Sequence, residues 1–470
     1  MSDELDRAAA ACLFPGFDGT EAPDWLRRRL ASGLGGVVLF ARNIESREQV
    51  ARLTAALRAE RSDLLVATDE EGGDVTRLEA RAGSSYPGNW ALGVVDDPRL
   101  TEEVAAAIAG DLATVGINFD LAPVADVNSN PDNPVIGIRA FGAEAELVSR
   151  HVAAFVHGLQ RRGVAACAKH FPGHGDTAQD SHLELPVVQG DITAALEPFR
   201  AAIDAGVRSI MTAHVVVPEL AGAPATLSRE ILQKLLREEL GFGGVAMTDA
   251  LEMRAISSTV GVAEAAVQAL AAGADALCLG ADVDDGLVSS VHSAIVAATT
   301  DGRLSAERLD EAAERVTELA HWASQASGDQ DRRELGREAA ERALLAEGTV
   351  ALTRPPLVLE LRPEPSIAAG AAHHGLADLL DGADGAVLTS LRSAPELLAG
   401  HEDRQPVVVV RDAHRHQWEQ QVLEAVLAID PETVVVETGL PLWRPQGAAY
   451  IATQGGGRAN LQAAASALSR

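Results

Sequence analysis

Lysine is almost missing from this chain of 470 residues: of its 39 basic side chains only Lys169 and Lys234 are lysines. Aromatic residues are also scarce, at 3%, with five tryptophans spread from Trp25 to Trp443. That is little material for a long stacking platform along a polymer, and it points to a short substrate. Positive charge is heavily outweighed, 39 Lys and Arg against 68 Asp and Glu, for a formal charge of -29. Such an excess repels nucleic-acid phosphates and anionic membrane surfaces, so neither is an expected partner, and a neutral or small ligand is. Cysteine is limited to Cys12, Cys167 and Cys278, each in or beside an apolar run. An odd, sparse set excludes a disulfide framework and fits buried thiols in a reducing compartment. No apolar run approaches a membrane span. The opening Met1-Ser-Asp-Glu-Leu-Asp lacks the basic lead and long apolar core of a secretory signal. A cytoplasmic location is the expectation.

What is present is alternation. A chain this long exceeds the size at which one core keeps growing, so two domains are expected. Its 47% apolar and 23% charged residues are those of an ordinary globular protein. Short apolar runs at 12–16, 36–40, 64–68, 117–123, 164–170, 208–213, 244–249 and 276–280 read as strands covered on both faces. Amphipathic stretches at 47–59, 101–115, 143–162, 192–205, 229–240 and 262–272 separate them. An open doubly wound sheet has the same local pattern, but the count of eight favours a (β/α)8 TIM-type barrel. After a helical pattern at 303–325, the polar run Ser327-Gly-Asp-Gln-Asp-Arg-Arg333 reads as a linker. Further strand candidates at 357–361, 386–388, 407–410, 433–437 and 448–453 predict a smaller three-layer α/β sandwich. The expected division is a barrel at 1–326, a linker at 327–333 and a sandwich of open role at 334–470. Its histidines, His373, His374, His414 and His416, read as surface residues.

Polar residues cluster where the barrel strands end. Asp69, Asp120, Asp126, Lys169, His170, His214 and Asp249 all follow or end an apolar run. In a barrel those positions converge on the C-terminal mouth, where catalysis sits. Helix capping accounts equally well for any one aspartate, and Asp249-Ala-Leu-Glu252 matches a capping box. It cannot account for the set, because Lys and His are poor N-caps. The densest stretch is Lys169-His-Phe-Pro-Gly-His-Gly-Asp-Thr-Ala-Gln-Asp-Ser-His182, with three histidines and two aspartates in fourteen residues. Asp180 can hold one ring nitrogen of His182 and leave the other to move a proton. An ionised Asp249 across a cleft from that donor is the arrangement that cleaves a glycosidic bond through a covalent intermediate. Asp69 and Arg77 around the paired glycines Gly72-Gly73, Arg139 after the Asn-rich loop 128–133, and Lys169-His170 offer fixed acceptors and cations for sugar hydroxyls. A buried ion network is the structural alternative for Asp69 with Arg139 or Lys169.

The set Asp69-Glu-Glu-Gly-Gly, Lys169-His-Phe-Pro-Gly-His-Gly-Asp-Thr, Asp180-Ser-His182 and Thr248-Asp249-Ala-Leu resembles glycoside hydrolase family 3 over roughly residues 10–320. Within it the chain is most similar to the NagZ-like β-N-acetylhexosaminidase branch, whose terminal Asp-Ser-His the family's β-glucosidases lack. The resemblance implies a (β/α)8 barrel, no metal or organic cofactor, Asp249 as nucleophile and His182, paired with Asp180, as acid/base. It implies sugar contacts at Asp69, Arg77, Arg139, Lys169, His170 and His214. The implied activity is a retaining exo-β-N-acetylglucosaminidase acting on small peptidoglycan-recycling or chitin-derived saccharides with terminal GlcNAc. One departure is Asp74, where many relatives carry a basic residue after the paired glycines, altering the aglycone side. Three alternatives stand beside this. Phosphate can replace water as the acceptor, making the same site a phosphorylase. His170, His174, His182, Asp176 and Asp180 can be read as N/O ligands of a metal-dependent hydrolase. A non-catalytic sugar-binding protein would keep Asp69 and Lys169 alone.

Overall fold

The structure, a computed structural model, describes residues 2–177, 179, 185–188, 192–328, 332–370 and 374–470. Its contacts divide the chain into two compact units. The first is Met1–Glu70, Thr101–Ile136 and Ala143–Asp331; the second is Glu71–Leu100, Gly137–Gly142 and Arg332–Arg470.

The first unit is built on eight short strands: β1 Leu13–Pro15, β2 Gly36–Leu39, β3 Leu65–Thr68, β4 Phe119–Asp120, β5 Ala165–Phe171, β6 Ser209–Thr212, β7 Val245–Thr248 and β8 Leu277–Gly280. β2 to β7 pair in chain order, all parallel, and β1 pairs with β8. A bridge between Met247 and Ala276 joins β7 to the run into β8, and β1 lies against β2, which closes the ring. This is the expected barrel. Every strand residue is buried, as parallel strands covered by helices require. Phe14 and Phe119 meet edge-on inside it, centroids 6.4 Å apart, packed with Leu65, Met211 and Met247. Gly36 makes room for them, since a Cβ there would lie 2.2 Å from the Phe14 ring. The helix Ala306–Ala323 sends Val316, Leu319 and Ala320 into the same core, and its Ala323 carbonyl accepts from Asn118, just before β4. It therefore closes the N-terminal end of the barrel. At that end Asp275, before β8, is fully buried and receives Arg237, Arg308, Arg315 and the Ala246 N–H.

Sheet order in the second unit is β11-β10-β12-β13-β14-β9, with β9 Leu345–Glu347, β10 Pro356–Leu361, β11 Asp384–Leu388, β12 Gln405–Val410, β13 Val434–Glu437 and β14 Ala449–Ala452. All neighbours are parallel except β9, which runs antiparallel to β14. Alternate residues feed two apolar layers. Leu357, Leu359, Val408 and Val435 face one, and Val358, Val407, Val434 and Ile451 face the other. That makes the expected three-layer sandwich. β9 escaped the sequence because its three residues are all exposed and carry no apolar alternation.

Two expectations change. The barrel segment is not one continuous stretch, because 71–100 and 137–142 belong to the second unit. The helix Asn89–Val95 packs on the helix Arg333–Ala343, and Asp74 pairs with Arg411 and accepts from the Gly456 N–H at 2.7 Å. Of the expected linker, 329–331 lie outside the described residues. His374 is not a plain surface residue: it is half-buried with Nε2 on the Gly456 carbonyl at 3.0 Å. Among the described residues no helix is long and apolar enough to cross a membrane.

Candidate active site

The C-terminal ends of the barrel strands carry the titratable groups. β3 ends into Asp69 and β5 carries Lys169, whose Nζ lies 2.6 Å from Asp69 Oδ1. The lysine side chain is 2% exposed, so this cation has left water and depends on its partner. Asp120, ending β4, lies next to the pair and is fully buried. Burial above all pushes its carboxyl well above the usual range, although its Oδ1 accepts the Glu70 N–H at 3.0 Å.

Asp126 organises the next residues. The chain after β4 runs alongside β5, with Val124 bridged to Lys169 and the Ala125 N–H on the Lys169 carbonyl. This puts Asp126 against the turn 170–174. Its Oδ2 accepts from His170 Nδ1 at 2.7 Å, and its Oδ1 accepts the backbone N–H of His174 at 2.7 Å and of His170 at 3.3 Å. The carboxylate is fully buried. It orients the His170 ring by holding Nδ1, leaving Nε2 for a ligand. The Asn-rich loop fastens the next residues: Asn133 Nδ2 donates to the His174 carbonyl at 2.8 Å. Gly175 is needed there, because a Cβ would lie 1.8 Å from the Val127 carbonyl oxygen. Burial lowers the pKa of His174 to about 4, against the opposing charges of Asp126 and Asp249. Its Nδ1 hydrogen-bonds the Thr177 hydroxyl at 2.6 Å.

Asp249 follows β7 and remains partly exposed, its Oδ1 accepting the Ala250 N–H at 2.7 Å. It caps no helix. The other half of the suspected capping box, Glu252, instead accepts the Ala281 and Asp282 N–H groups past β8. Asp249 and Asp69 both bear on the buried Cys278 thiol, whose pKa is raised chiefly by burial and next by Asp249. These two carboxylates thus share one end of the barrel. His214, expected among the sugar contacts, follows β6. It is fully enclosed, with Nδ1 on the Thr226 hydroxyl (2.8 Å) and Nε2 on the Ala250 carbonyl (3.0 Å). It braces the turn that carries Asp249.

Arg77 and Arg139 belong to the second unit. Arg139 grips Glu71 with Nε (3.0 Å) and Nη2 (2.7 Å), a bidentate pair that the sequence did not foresee. Arg77 donates to the Ala368 carbonyl at 2.9 Å. Asp74, expected to alter the aglycone side, is spent on Arg411 and Gly456. Asp180 and His182 lie outside the described residues. Sequence reading placed Asp126 among the strand-end residues without giving it a role, and no local pattern announces Glu71. Among the described residues no three His, Cys, Asp or Glu side chains are grouped to hold a metal ion. Of the suspected ligands, His170 and His174 are committed to Asp126 and Thr177.

A sequence model of the glycosyl hydrolase family 3 N-terminal domain matches residues 20–319, and the chain belongs to that family. It is 40% identical over 270 residues to a β-hexosaminidase of Thiobacillus denitrificans, covering 55% of this chain and 74% of that one. It is 39% identical over 268 residues to β-hexosaminidase A of Pseudoalteromonas piscicida, covering 52% of this chain but only 45% of that longer protein. A solved family 3 β-N-acetylglucosaminidase of Paenibacillus sp. strain FPU-7 superposes with a TM-score of 0.89 at 34% identity, covering 99% of this chain and 96% of that one.

Proposed function

We propose that this chain is a retaining exo-β-N-acetylglucosaminidase that releases terminal GlcNAc from small cell-wall or chitin-derived saccharides. The observation that carries the proposal is the mouth of the barrel. A half-exposed Asp249 shares that end with an enclosed Asp69–Lys169 pair and an Asp126-held His170. The names of the relatives support the same sugar specificity. In the mechanism, the Asp249 carboxylate attacks the anomeric carbon while His182, held by Asp180, protonates the departing oxygen. The C–O bond to the aglycone breaks as the Asp249–sugar bond forms. His182, now basic, takes a proton from water, which displaces Asp249 with net retention. Asp69, Lys169 and His170 bind the sugar hydroxyls. No cofactor enters any step. Three unpaired, buried cysteines suit a reducing compartment, and we place the enzyme in the cytoplasm.

Assaying 4-nitrophenyl β-glycosides of GlcNAc, glucose and GalNAc with and without phosphate tests this. Expected is a strong preference for the GlcNAc glycoside and free GlcNAc at the same rate in both buffers. GlcNAc-1-phosphate as the product would convert the enzyme into a phosphorylase, and no turnover of the GlcNAc glycoside would refute the assignment.

A further inference from the structure

The turn after β7 is held at three successive residues. Asp249 gives its N–H to the Thr212 carbonyl at 3.3 Å, and Leu251 gives its own to the Cys278 carbonyl at 2.9 Å. These two bonds tie the turn to β6 on one side and β8 on the other. Ala250, between them, is placed by other means. Its N–H holds Asp249 Oδ1 at 2.7 Å. Its carbonyl takes the Met253 N–H at 3.0 Å and lies 3.0 Å from His214 Nε2. A carbonyl oxygen can only accept, so Nε2 is the ring nitrogen that carries the proton.

The ring is fixed from behind as well. His214 is fully buried, and the Thr226 hydroxyl meets its Nδ1 at 2.8 Å. Thr226 is anchored in turn. Its hydroxyl donates to the Ala213 carbonyl at 3.0 Å and lies 2.8 Å from the Thr212 hydroxyl. The Ala225 N–H beside it donates to the Val215 carbonyl at 2.8 Å. A continuous chain of hydrogen bonds thus runs from the end of β6 through Thr226, His214 and Ala250 to the carboxylate of Asp249. Simple satisfaction of a buried group does not account for the histidine, because the Ala250 carbonyl already has the Met253 N–H. What the ring adds is a second, fixed direction for the Ala250 peptide.

We infer that His214 is a positioning residue for transfer of the sugar to Asp249. By fixing the Ala250 peptide it sets the plane in which the Asp249 carboxylate meets the anomeric carbon. In this role His214 acts through Ala250 and makes no contact with the sugar. The inference rests on the assignment of Asp249 as nucleophile. Such alignment matters, since a misplacement of about 1 Å costs on the order of 100-fold in rate.

His214→Phe and His214→Gln separate this role from packing. Phenylalanine keeps a ring in the same space and loses both nitrogens. It leaves the Ala250 carbonyl with Met253 and the Thr226 hydroxyl with Ala213, so the thermal midpoint should stay near wild type. Glutamine restores a donor at the place of Nε2. The full-length variants are assayed on 4-nitrophenyl β-GlcNAc, titrated with GlcNAc and labelled with a 5-fluoro-GlcNAc fluoride. His214→Phe is expected to lower kcat about 30-fold and to slow labelling of Asp249 by the same factor, with GlcNAc affinity unchanged. His214→Gln is expected to return kcat to within about 3-fold of wild type. Thr226→Val reads the same chain from behind the ring, with a loss of about 3-fold in kcat expected. Wild-type kcat in Thr226→Val or in folded His214→Phe would overturn the proposal. Lost GlcNAc affinity with kcat intact would also overturn it and make His214 a sugar contact. A wild-type chain that cleaves GlcNAc glycosides but is labelled elsewhere than Asp249, or cleaves none, would instead overturn the assignment on which the inference rests.

Discussion

The two ends of the barrel both bury charge, and they do so for different ends. At the N-terminal end Asp275 is enclosed by three arginines and a backbone N–H. The cluster ties the start of β8 to the helices around it. At the C-terminal mouth charges of both signs meet, and one stays within reach of solvent. Lys169 leans on Asp69, His170 is steered from behind by Asp126, and Asp249 keeps part of its surface open. A closed network serves the fold. At the mouth the partly exposed Asp249 keeps a carboxylate open to solvent. Strand polarity explains the split, since βα loops can vary in function without disturbing the layers beneath them.

The comparison can be broken from either side. The largest effect is expected at the mouth: Asp249→Asn should lower kcat on the order of 10⁴-fold, with the thermal midpoint near wild type. Next is Asp126→Ala, which removes three hydrogen bonds from the 170–174 turn. It should cost about 100-fold in kcat/KM, the scale of a small misplacement of reacting groups, with Asp126→Asn losing less. At the other end the pattern reverses. Asp275→Ala removes the buried anion shared by Arg237, Arg308 and Arg315, leaving the last two only the exposed Glu311, and should cost about 3–5 kcal/mol in urea unfolding. Its kcat/KM per folded molecule should match wild type. A large kinetic defect in Asp275→Ala would erase the distinction between the two ends.

The smallest effect concerns pH. Burial holds the His174 pKa near 4 in the folded chain, below the ordinary histidine value. Between those values the unfolded chain binds the extra proton, so stability is complete above the ordinary value and falls as pH drops toward 4. His174→Asn should flatten that part of the stability curve, measured by denaturant unfolding at stepped pH. An unchanged slope would remove His174 from the enclosed set at the mouth.

How much of this was legible in the sequence follows from the range of each interaction. The strands of the barrel were readable because burial on both faces makes them continuous apolar runs. Lys169 stood out by scarcity, and Asp69 and Asp249 by their place after such runs. Asp126 could be seen but not interpreted, since its role appears only when the chain after β4 is laid against β5. The partner of Asp74 was hidden for the same reason: Arg411 is 337 residues away, and no local pattern joins them. His214 looked like a ligand because a histidine after a strand usually draws that reading. Its enclosed Thr226 and Ala250 partners belong to no local pattern.

The most direct test of the central claim is intact-protein and peptide mass spectrometry after reaction with a slow 5-fluoro-GlcNAc fluoride substrate. One covalent sugar adduct is expected, carried by Asp249 in the peptide that follows β7. An adduct on another residue, or steady turnover to an inverted product with no adduct at all, would contradict it.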